Sequence, residues 1–167
     1  EHFSFPRTVL NTGKGYRMGR TENVTLTNMC MVYDGDKILV QDRAKNDYSG
    51  ICFPGGHVEK CESFHDSVIR EIYEETGLTV REPKLCGIKQ WQDKNGRYIV
   101  LLYKTDKFSG ELRSSEEGKV MWIKRSELEN YKTARDFMTF IKVFENDDIS
   151  EFFYDQSKGG WDIKLLP

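Results

Sequence analysis

The segment "GGHVEKCESFHDSVIREIYEETGL", from Gly55 to Leu78, is the most informative part of the sequence for the fold. Its second half contains three glutamates within five residues. Glu71, Glu74 and Glu75 follow one another at helical spacing. Like charges one helical turn apart destabilise a helix by about 0.2–0.5 kcal/mol per pair. The segment therefore either presents a solvated acidic face or places its carboxylates where a positive ion binds.

The same segment carries the start and stop signals of a helix from about Ser63 to Thr76. Ser63 is a candidate N-cap, with Asp66 three residues later in a position similar to that of a capping box. Gly77 follows the last turn, where a glycine commonly ends a helix in the left-handed conformation. These signals predict one amphipathic helix with defined ends.

The three glutamates share one face of this predicted helix, within an arc of about 100°. The adjacent face is apolar and is expected to pack against a sheet; it consists of Val68, Ile69 and Ile72. Clustered carboxylate oxygens without Cys or His favour hard cations such as Mg²⁺ or Mn²⁺ over zinc. A bound divalent ion would also offset the repulsion between the glutamates.

The rest of the chain alternates β-rich runs with two further helical patterns. Two hairpins are predicted, "VTLTNMCMVYDGDKILVQDR" around Asp34-Gly35 and "KLCGIKQWQDKNGRYIVLLYKTD" around Asn95-Gly96. Short strands are predicted at "ICF" and "GKVMWI", helices at "RSELENY" and "ARDFMTFIKVFEN", and a terminal hairpin in "EFFYDQSKGGWDIKLL". This order predicts an α/β (α+β) sandwich, a sheet between helices.

Length and composition narrow the class of protein. The chain has 167 residues and a net charge of −2, which fits one globular domain and argues against stable nucleic-acid binding. Four cysteines without metal-finger spacing are expected to be reduced thiols. No apolar run reaches membrane-spanning length, so we expect a cytoplasmic protein without membrane contact. Residues 1–22 are interpreted as a native extension or an artificial expression tail, and residues 23–167 as the single folded domain.

The spacing around the helix matches one long pattern at nine positions. These are Gly56, Glu62, Arg70, Glu71, Ile72, Glu74, Glu75, Gly77 and Leu78. The segment resembles the signature of the Nudix hydrolase family. The resemblance implies a Nudix fold, a mixed β-sheet sandwiched between α-helices with a loop–helix–loop signature, and a Mg²⁺- or Mn²⁺-dependent hydrolase acting on nucleoside diphosphate derivatives. Cys61 stands where the family often has glycine, so the turn before Glu62 is expected to differ.

The resemblance also implies roles for individual residues. Glu71 and Glu75 resemble the principal metal ligands, with Glu74 beside them, and one of these carboxylates resembles the base that activates water. Arg70 and Glu62 resemble the partners that orient the glutamates. Two further kinds of metal ligand are implied: a backbone carbonyl of Gly55 or Gly56, and an acid from a loop outside the helix, for which Glu117 is preferred over Glu116.

Substrate contacts are less specified. Asn28, Lys89 and Asp136 are weak candidates for reading base edges or phosphate. Trp91, Tyr98 and Trp122 are aromatic candidates for base stacking, although such residues are more often part of the core.

The wider pattern is similar to the 8-oxo-dGTP diphosphatase (MutT-like) group, which implies hydrolysis of 8-oxo-dGTP to 8-oxo-dGMP and pyrophosphate. The alternatives are an ADP-ribose or nucleotide-sugar pyrophosphatase, an RNA 5′-end pyrophosphohydrolase, and a Nudix module that binds a nucleotide without cleaving it. A small nucleotide is the expected partner, and the protein is expected to be a monomer or a homodimer.

Overall fold

The computed structural model describes residues 21–43 and 49–167. Apart from Glu22 and its neighbour, the predicted N-terminal extension lies outside the described residues, as does most of the loop after the first hairpin. The described strands are β1 (Val24–Asp34), β2 (Lys37–Arg43), β3 (Gly50–Cys52), β4 (Leu78–Val80), β5 (Lys84–Asp93), β6 (Gly96–Thr105), β7 (Phe108–Gly110), β8 (Gly118–Lys124), β9 (Glu151–Asp155) and β10 (Asp162–Leu166). The helices are α1 (Phe64–Thr76), a 3-10 helix (Arg125–Asn130) and α2 (Phe137–Glu145).

A mixed sheet forms the centre of the domain. Its strand order is β10-β9-β5-β6-β1-β2-β3, with β8 paired to the other edge of β2 along its whole length, while β4 and β7 form a separate two-stranded ribbon. β5 and β6 are antiparallel, whereas β6 runs parallel to β1 and β5 runs parallel to β9. The predicted fold class, a mixed sheet between helices, is confirmed.

β1 is the strand on which the functional region is built. Along most of its length it pairs with β6, and only Tyr33 and Asp34 pair with β2. Its other edge is covered by the loop after β3, because Asn28 N–H donates to the Gly56 carbonyl and Cys30 N–H donates to the Pro54 carbonyl. Backbone hydrogen bonds therefore fix this loop beside the sheet.

α1 has the ends that the sequence predicts. Ser63 Oγ accepts the Asp66 N–H at 3.0 Å, and Gly77 adopts φ +77° while its N–H donates to the Tyr73 carbonyl. The two sheet faces carry separate cores. On one face α1 buries Val68 and Ile72 against the sheet. On the other, α2 buries a group of aromatic residues that includes Phe137, Phe140, Phe144, Phe53 and Phe152.

Two predicted helices differ from the structure. "RSELENY" forms a 3-10 helix rather than an α-helix, and α2 begins at Phe137 rather than at Ala134. The later start has a local cause, since Asp136 adopts φ +58° and its carboxylate accepts the Tyr154 hydroxyl at 2.6 Å. A left-handed residue cannot continue a right-handed helix. The predicted terminal hairpin is confirmed as β9 and β10.

Candidate active site

Glu75 lies at the inner end of the acidic face. It is 5% exposed, and one of its carboxylate oxygens accepts the Gly55 N–H at 2.8 Å. Burial raises the pKa of Glu75 from 4.5 to about 7, opposed by the Gly55 hydrogen bond and by Arg43, while Glu71 and Glu117 raise it further. The site thus contains a buried acid that a nearby positive charge would stabilise in its ionised form.

Glu71 lies against the loop that covers β1. A Cβ atom on Gly56 would overlap the Glu71 carboxylate, so only glycine lets these two groups approach as they do. Burial is also the main cause that raises the pKa of Glu71; Arg70 opposes it and Glu74 adds to it. Gly56 therefore provides the space that the Glu71 carboxylate occupies.

Arg70 connects the loop to the helix. Its guanidinium contacts both oxygens of Glu62 at 2.8 and 2.9 Å, Glu71 at 2.8 Å, Glu74 at 3.2 Å and the His57 carbonyl at 2.9 Å. The hydrogen bond from Arg70 is the main cause that lowers the pKa of Glu62 to about 2. The structure brings Arg70, Glu62 and the glutamates together, and the orienting role of Arg70 and Glu62 stays a prediction.

The acid from outside the helix lies close to this group. Glu117 immediately precedes β8 and accepts a hydrogen bond from Arg43 at 3.3 Å, while Glu116 is exposed. Arg43 acts electrostatically on Glu75 as well, so it lies near two of the acids. Sequence reasoning missed Arg43. The sequence contains no local signal for it, because Arg43 reaches Glu117 through its pairing with Gly118, which lies far along the chain.

The donor set fits a hard divalent ion by its chemistry. Within residues 21–43 and 49–167, no three His, Cys, Asp or Glu side chains are already grouped closely enough to hold an ion. Arg70 donates hydrogen bonds to Glu71 and Glu74, and the Gly55 N–H donates one to Glu75. All the available donors are oxygens, and the buried acids lack enough positive charge to keep their pKa values low. The assignment of these glutamates, of Glu117 and of the Gly55 or Gly56 carbonyl as metal ligands stays a prediction.

Next to the acids lies a cavity of about 360 Å³. One wall is the loop from Gly55 to His57, and the others come from β1, β5, β6 and Arg43. Trp91 and Tyr98 line it and stack on each other at 4.3 Å between ring centroids. Trp122, the third aromatic candidate, packs instead with Phe108 on the α1 face of the sheet.

The three weak substrate candidates have different positions. Lys89 lines the cavity and is buried. Asn28 lines it too, but its side-chain amide donates to Ser67 Oγ at 3.0 Å on α1, so this donor is already engaged. Asp136 is not among the lining residues, and acts electrostatically on Lys89.

The turn before Glu62 was expected to differ because Cys61 replaces a glycine, but the structure shows the conformation that a glycine would adopt. Cys61 adopts φ +63°, the left-handed conformation that glycine favours, and it is exposed. The chain therefore keeps a left-handed turn at this position, with a cysteine in place of the glycine that would adopt it more readily.

Comparison with known proteins agrees with this fold. The model of the NUDIX domain matches residues 25–142, and the chain therefore belongs to the Nudix family. Among its relatives is an uncharacterized Nudix hydrolase, YvcI, of Bacillus subtilis, which is 33% identical over 111 residues, covering 63% of this chain and 69% of YvcI. An ADP-ribose pyrophosphatase of Methanocaldococcus jannaschii is 38% identical over 88 residues, half of this chain and 52% of that protein.

Solved structures are similar over a larger part of the chain. A mutator MutT protein from Bacillus halodurans superposes with a TM-score of 0.66 at 28% identity, covering 84% of this chain and 97% of that one. A bifunctional NMN adenylyltransferase/ADP-ribose pyrophosphatase from Francisella tularensis, in complex with AMP and a Mn ion, has a TM-score of 0.59 at 23% identity, covering 77% of this chain and 43% of that one. The latter likeness concerns the fold alone. No helix in the described part of the chain has the length and apolar character needed to cross a membrane.

Proposed function

We propose that this Nudix hydrolase is a Mg²⁺- or Mn²⁺-dependent pyrophosphohydrolase of nucleoside triphosphates, with 8-oxo-dGTP as its candidate substrate. The observation that carries the proposal is the shared wall: the loop from Gly55 to His57 contacts Glu71 and Glu75 on one side and lines the cavity on the other. A nucleotide in the cavity would extend its phosphate chain towards the glutamates. The likeness to the Bacillus halodurans MutT protein supports the choice of a triphosphate.

The acids and Arg70 have different roles in this proposal. Glu71 and Glu75, with Glu74 and Glu117, would hold the divalent ion, which supplies charge neutralisation of the phosphate oxygens and lowers the pKa of a bound water. Arg70 keeps Glu71 and Glu74 directed towards the site. Glu71 or its neighbour Glu74 accepts the proton of the attacking water as the water oxygen bonds to phosphorus. The bond from that phosphorus to the oxygen between the α- and β-phosphates breaks, which releases pyrophosphate and the nucleoside monophosphate.

A second candidate function is hydrolysis of ADP-ribose. It is favoured by the similarity to the Methanocaldococcus jannaschii ADP-ribose pyrophosphatase over half of this chain. RNA 5′ ends are disfavoured by the net charge of −2. A module that binds without cleaving is disfavoured because Glu71, Glu74 and Glu75 are all present. A small nucleotide is the proposed partner, and a cytoplasmic monomer or homodimer the proposed state.

The test is a substrate panel with product analysis. The purified protein is incubated with 8-oxo-dGTP, the ordinary dNTPs, ADP-ribose and dinucleoside polyphosphates, in Mg²⁺, in Mn²⁺ and in EDTA. We expect triphosphates to yield monophosphate and pyrophosphate. Hydrolysis should stop in EDTA and resume when Mg²⁺ is restored. Release of AMP from ADP-ribose with intact triphosphates would favour the second candidate. Turnover that persists in EDTA, or no turnover with either metal, would refute the proposal.

A further inference from the structure

Lys89 is a buried cation enclosed by aromatic rings. It is 6% exposed, and its ammonium lies 4.3 Å from the centroid of Phe140, 5.5 Å from those of Phe152 and Tyr154, and 5.9 Å from that of Trp91. Ring faces attract a cation through their quadrupole and restrict where it can lie. A surface lysine samples many rotamers, whereas here packing fixes the charge at one place in the cavity wall.

The sheet register shows which end of the cavity Lys89 occupies. Thr27 on β1 pairs with Val100 on β6, and Val100 pairs with Lys89 on β5, so the three residues form one row across the sheet. All three line the cavity. The Gly55–His57 loop covers the opposite edge of β1, so at about 4.8 Å per strand it lies roughly 14 Å from β5.

The cavity is therefore electrically polar along its length. The glutamates lie beyond its loop end, and Lys89 lies at its β5 end, where Asp136 and Arg135 act on it electrostatically. Burial lowers the pKa of Lys89 from 10.5 to about 8, and Asp136 and Cys52 oppose this, so the ammonium stays protonated at neutral pH. If the proposed function holds, the phosphates lie at the loop end and the nucleobase at Lys89.

We propose that Lys89 determines base specificity by donating a hydrogen bond to a carbonyl oxygen of the nucleobase. An ammonium has three donors and no acceptor, so it matches a carbonyl and opposes an exocyclic amino group. Guanine, hypoxanthine and 8-oxopurines offer a carbonyl, whereas adenine offers an amino group at C6. A base with the wrong group would leave a buried charge facing a donor, which costs more than a missing contact.

The test compares matched substrate pairs in wild type and in Lys89→Met. dITP differs from dATP by a carbonyl at C6 with a proton on N1, and 8-oxo-dATP differs from dATP by a carbonyl at C8 with a proton on N7, so each pair places one carbonyl at one position of the base. We expect wild type to prefer the carbonyl member. Lys89→Met should lower kcat/KM for that member by about 10- to 100-fold, the range of a charge-assisted hydrogen bond, and should change the value for dATP much less.

Lys84→Met is the matched control, because Lys84 is an exposed lysine on the same strand. It should leave the preference unchanged. An equal loss for both members of each pair would assign Lys89 to the phosphates or to folding and would overturn the proposal, as would an unchanged preference in Lys89→Met. Thermal unfolding of each variant checks the fold, and Lys89→Gln replaces Lys89→Met if the latter does not fold.

A binding measurement separates this inference from the proposed function. Titration of metal-free wild type with dIMP and dAMP, followed by calorimetry, requires no turnover. Tighter binding of dIMP in a protein that hydrolyses no triphosphate would refute the proposed function and support the role of Lys89. If the protein hydrolyses triphosphates but binds dIMP and dAMP equally, with equal kcat/KM within each pair, the proposed function is supported and the role of Lys89 is refuted.

Discussion

At Glu75 the folded protein holds a carboxylate where its protonated form is favoured. The side chain is buried, and the one short hydrogen bond from Gly55 does not offset the loss of hydration, so its pKa rises to about 7. Such a group destabilises the metal-free fold in its ionised form, and a bound cation would remove that cost. Function and stability therefore oppose each other at this residue.

Glu75→Gln should abolish metal-dependent turnover and stabilise the metal-free protein. Because the pKa is higher in the folded than in the unfolded state, the wild-type free energy of unfolding falls as pH rises from about 4 to 7. Gln keeps an oxygen for the Gly55 N–H without titrating. In EDTA the melting temperature of the variant should exceed that of wild type by several degrees at pH 8, with little difference at pH 4.

Asp66→Asn is the control for this comparison, since Asp66 is an exposed acid on the same helix. It should retain turnover and the wild-type pH slope. Normal hydrolysis by Glu75→Gln would remove Glu75 from the ligand set, and an unchanged pH slope would show that the residue does not titrate as a buried acid.

The sequence predicts which acids form the site and that Arg70 lies beside them, but it does not predict the contacts that shift their pKa values. The spacing places Glu71, Glu74 and Glu75 on one helix face, and periodicity alone suffices for that. It does not show that a backbone N–H of Gly55 meets Glu75, or that Arg43 lies near Glu117, because both contacts join segments that are distant along the chain.

The loop and α1 act as one unit because Arg70 joins them. Arg70→Ala removes the contacts to Glu62, Glu71, Glu74 and the His57 carbonyl together. We expect kcat/KM to fall by about 10- to 100-fold, the usual effect of losing a residue that orients metal ligands. The measurement is steady-state kinetics at saturating Mg²⁺.

Arg70→Lys serves as the comparison for charge alone. Lysine keeps the positive charge but cannot make the two parallel bonds to Glu62, so its activity should lie between wild type and Arg70→Ala. Full activity of Arg70→Ala would exclude an orienting role.

The end of α1 depends on the left-handed conformation of Gly77. A Cβ there would come within 2.6 Å of Arg113 Cγ and of the Glu111 carbonyl oxygen, at a φ of +77°. Gly35 in the first hairpin turn has φ +59° and nothing within 4 Å, so it isolates the backbone cost. Gly35→Ala should cost about 1–2 kcal/mol in urea unfolding, and Gly77→Ala clearly more. Equal losses would show that the helix end adjusts without strain.

Elements with strong local signals were predicted and those set by distant contacts were not. The caps of α1 are predicted by Ser63 and Gly77, and the two hairpin turns by Asp34-Gly35 and Asn95-Gly96. The pairing of β1 with β6 has no such signal, because it joins strands some seventy positions apart. The predicted start of α2 was wrong because Asp136 adopts φ +58°, and its carboxylate accepts the hydroxyl of Tyr154, which comes later in the chain.

Across the whole molecule, the two sheet faces have different proposed functions, metal binding on one and base recognition on the other. α1 and its acids lie on one face, and α2 lies on the other, where Phe140 and Phe152 hold Lys89 at the cavity wall. The α2 core is therefore more than a structural support. It keeps the Lys89 ammonium buried against the sheet, and this burial lowers the free energy of unfolding of the whole domain.

Lys89→Met should remove that loss of stability and change how stability depends on pH. The folded pKa of Lys89, about 8, lies below the ordinary 10.5, so wild type gains stability as pH rises from about 8 to 10. The melting temperature of Lys89→Met should thus exceed that of wild type at pH 7, and the difference should shrink towards pH 10. Asp136, Cys52 and Arg135 act electrostatically on Lys89, and of these Asp136 supports its charge most. Asp136→Asn should therefore enlarge the gain from Lys89→Met at pH 7, and a difference that stays constant with pH would show that Lys89 does not titrate in this range.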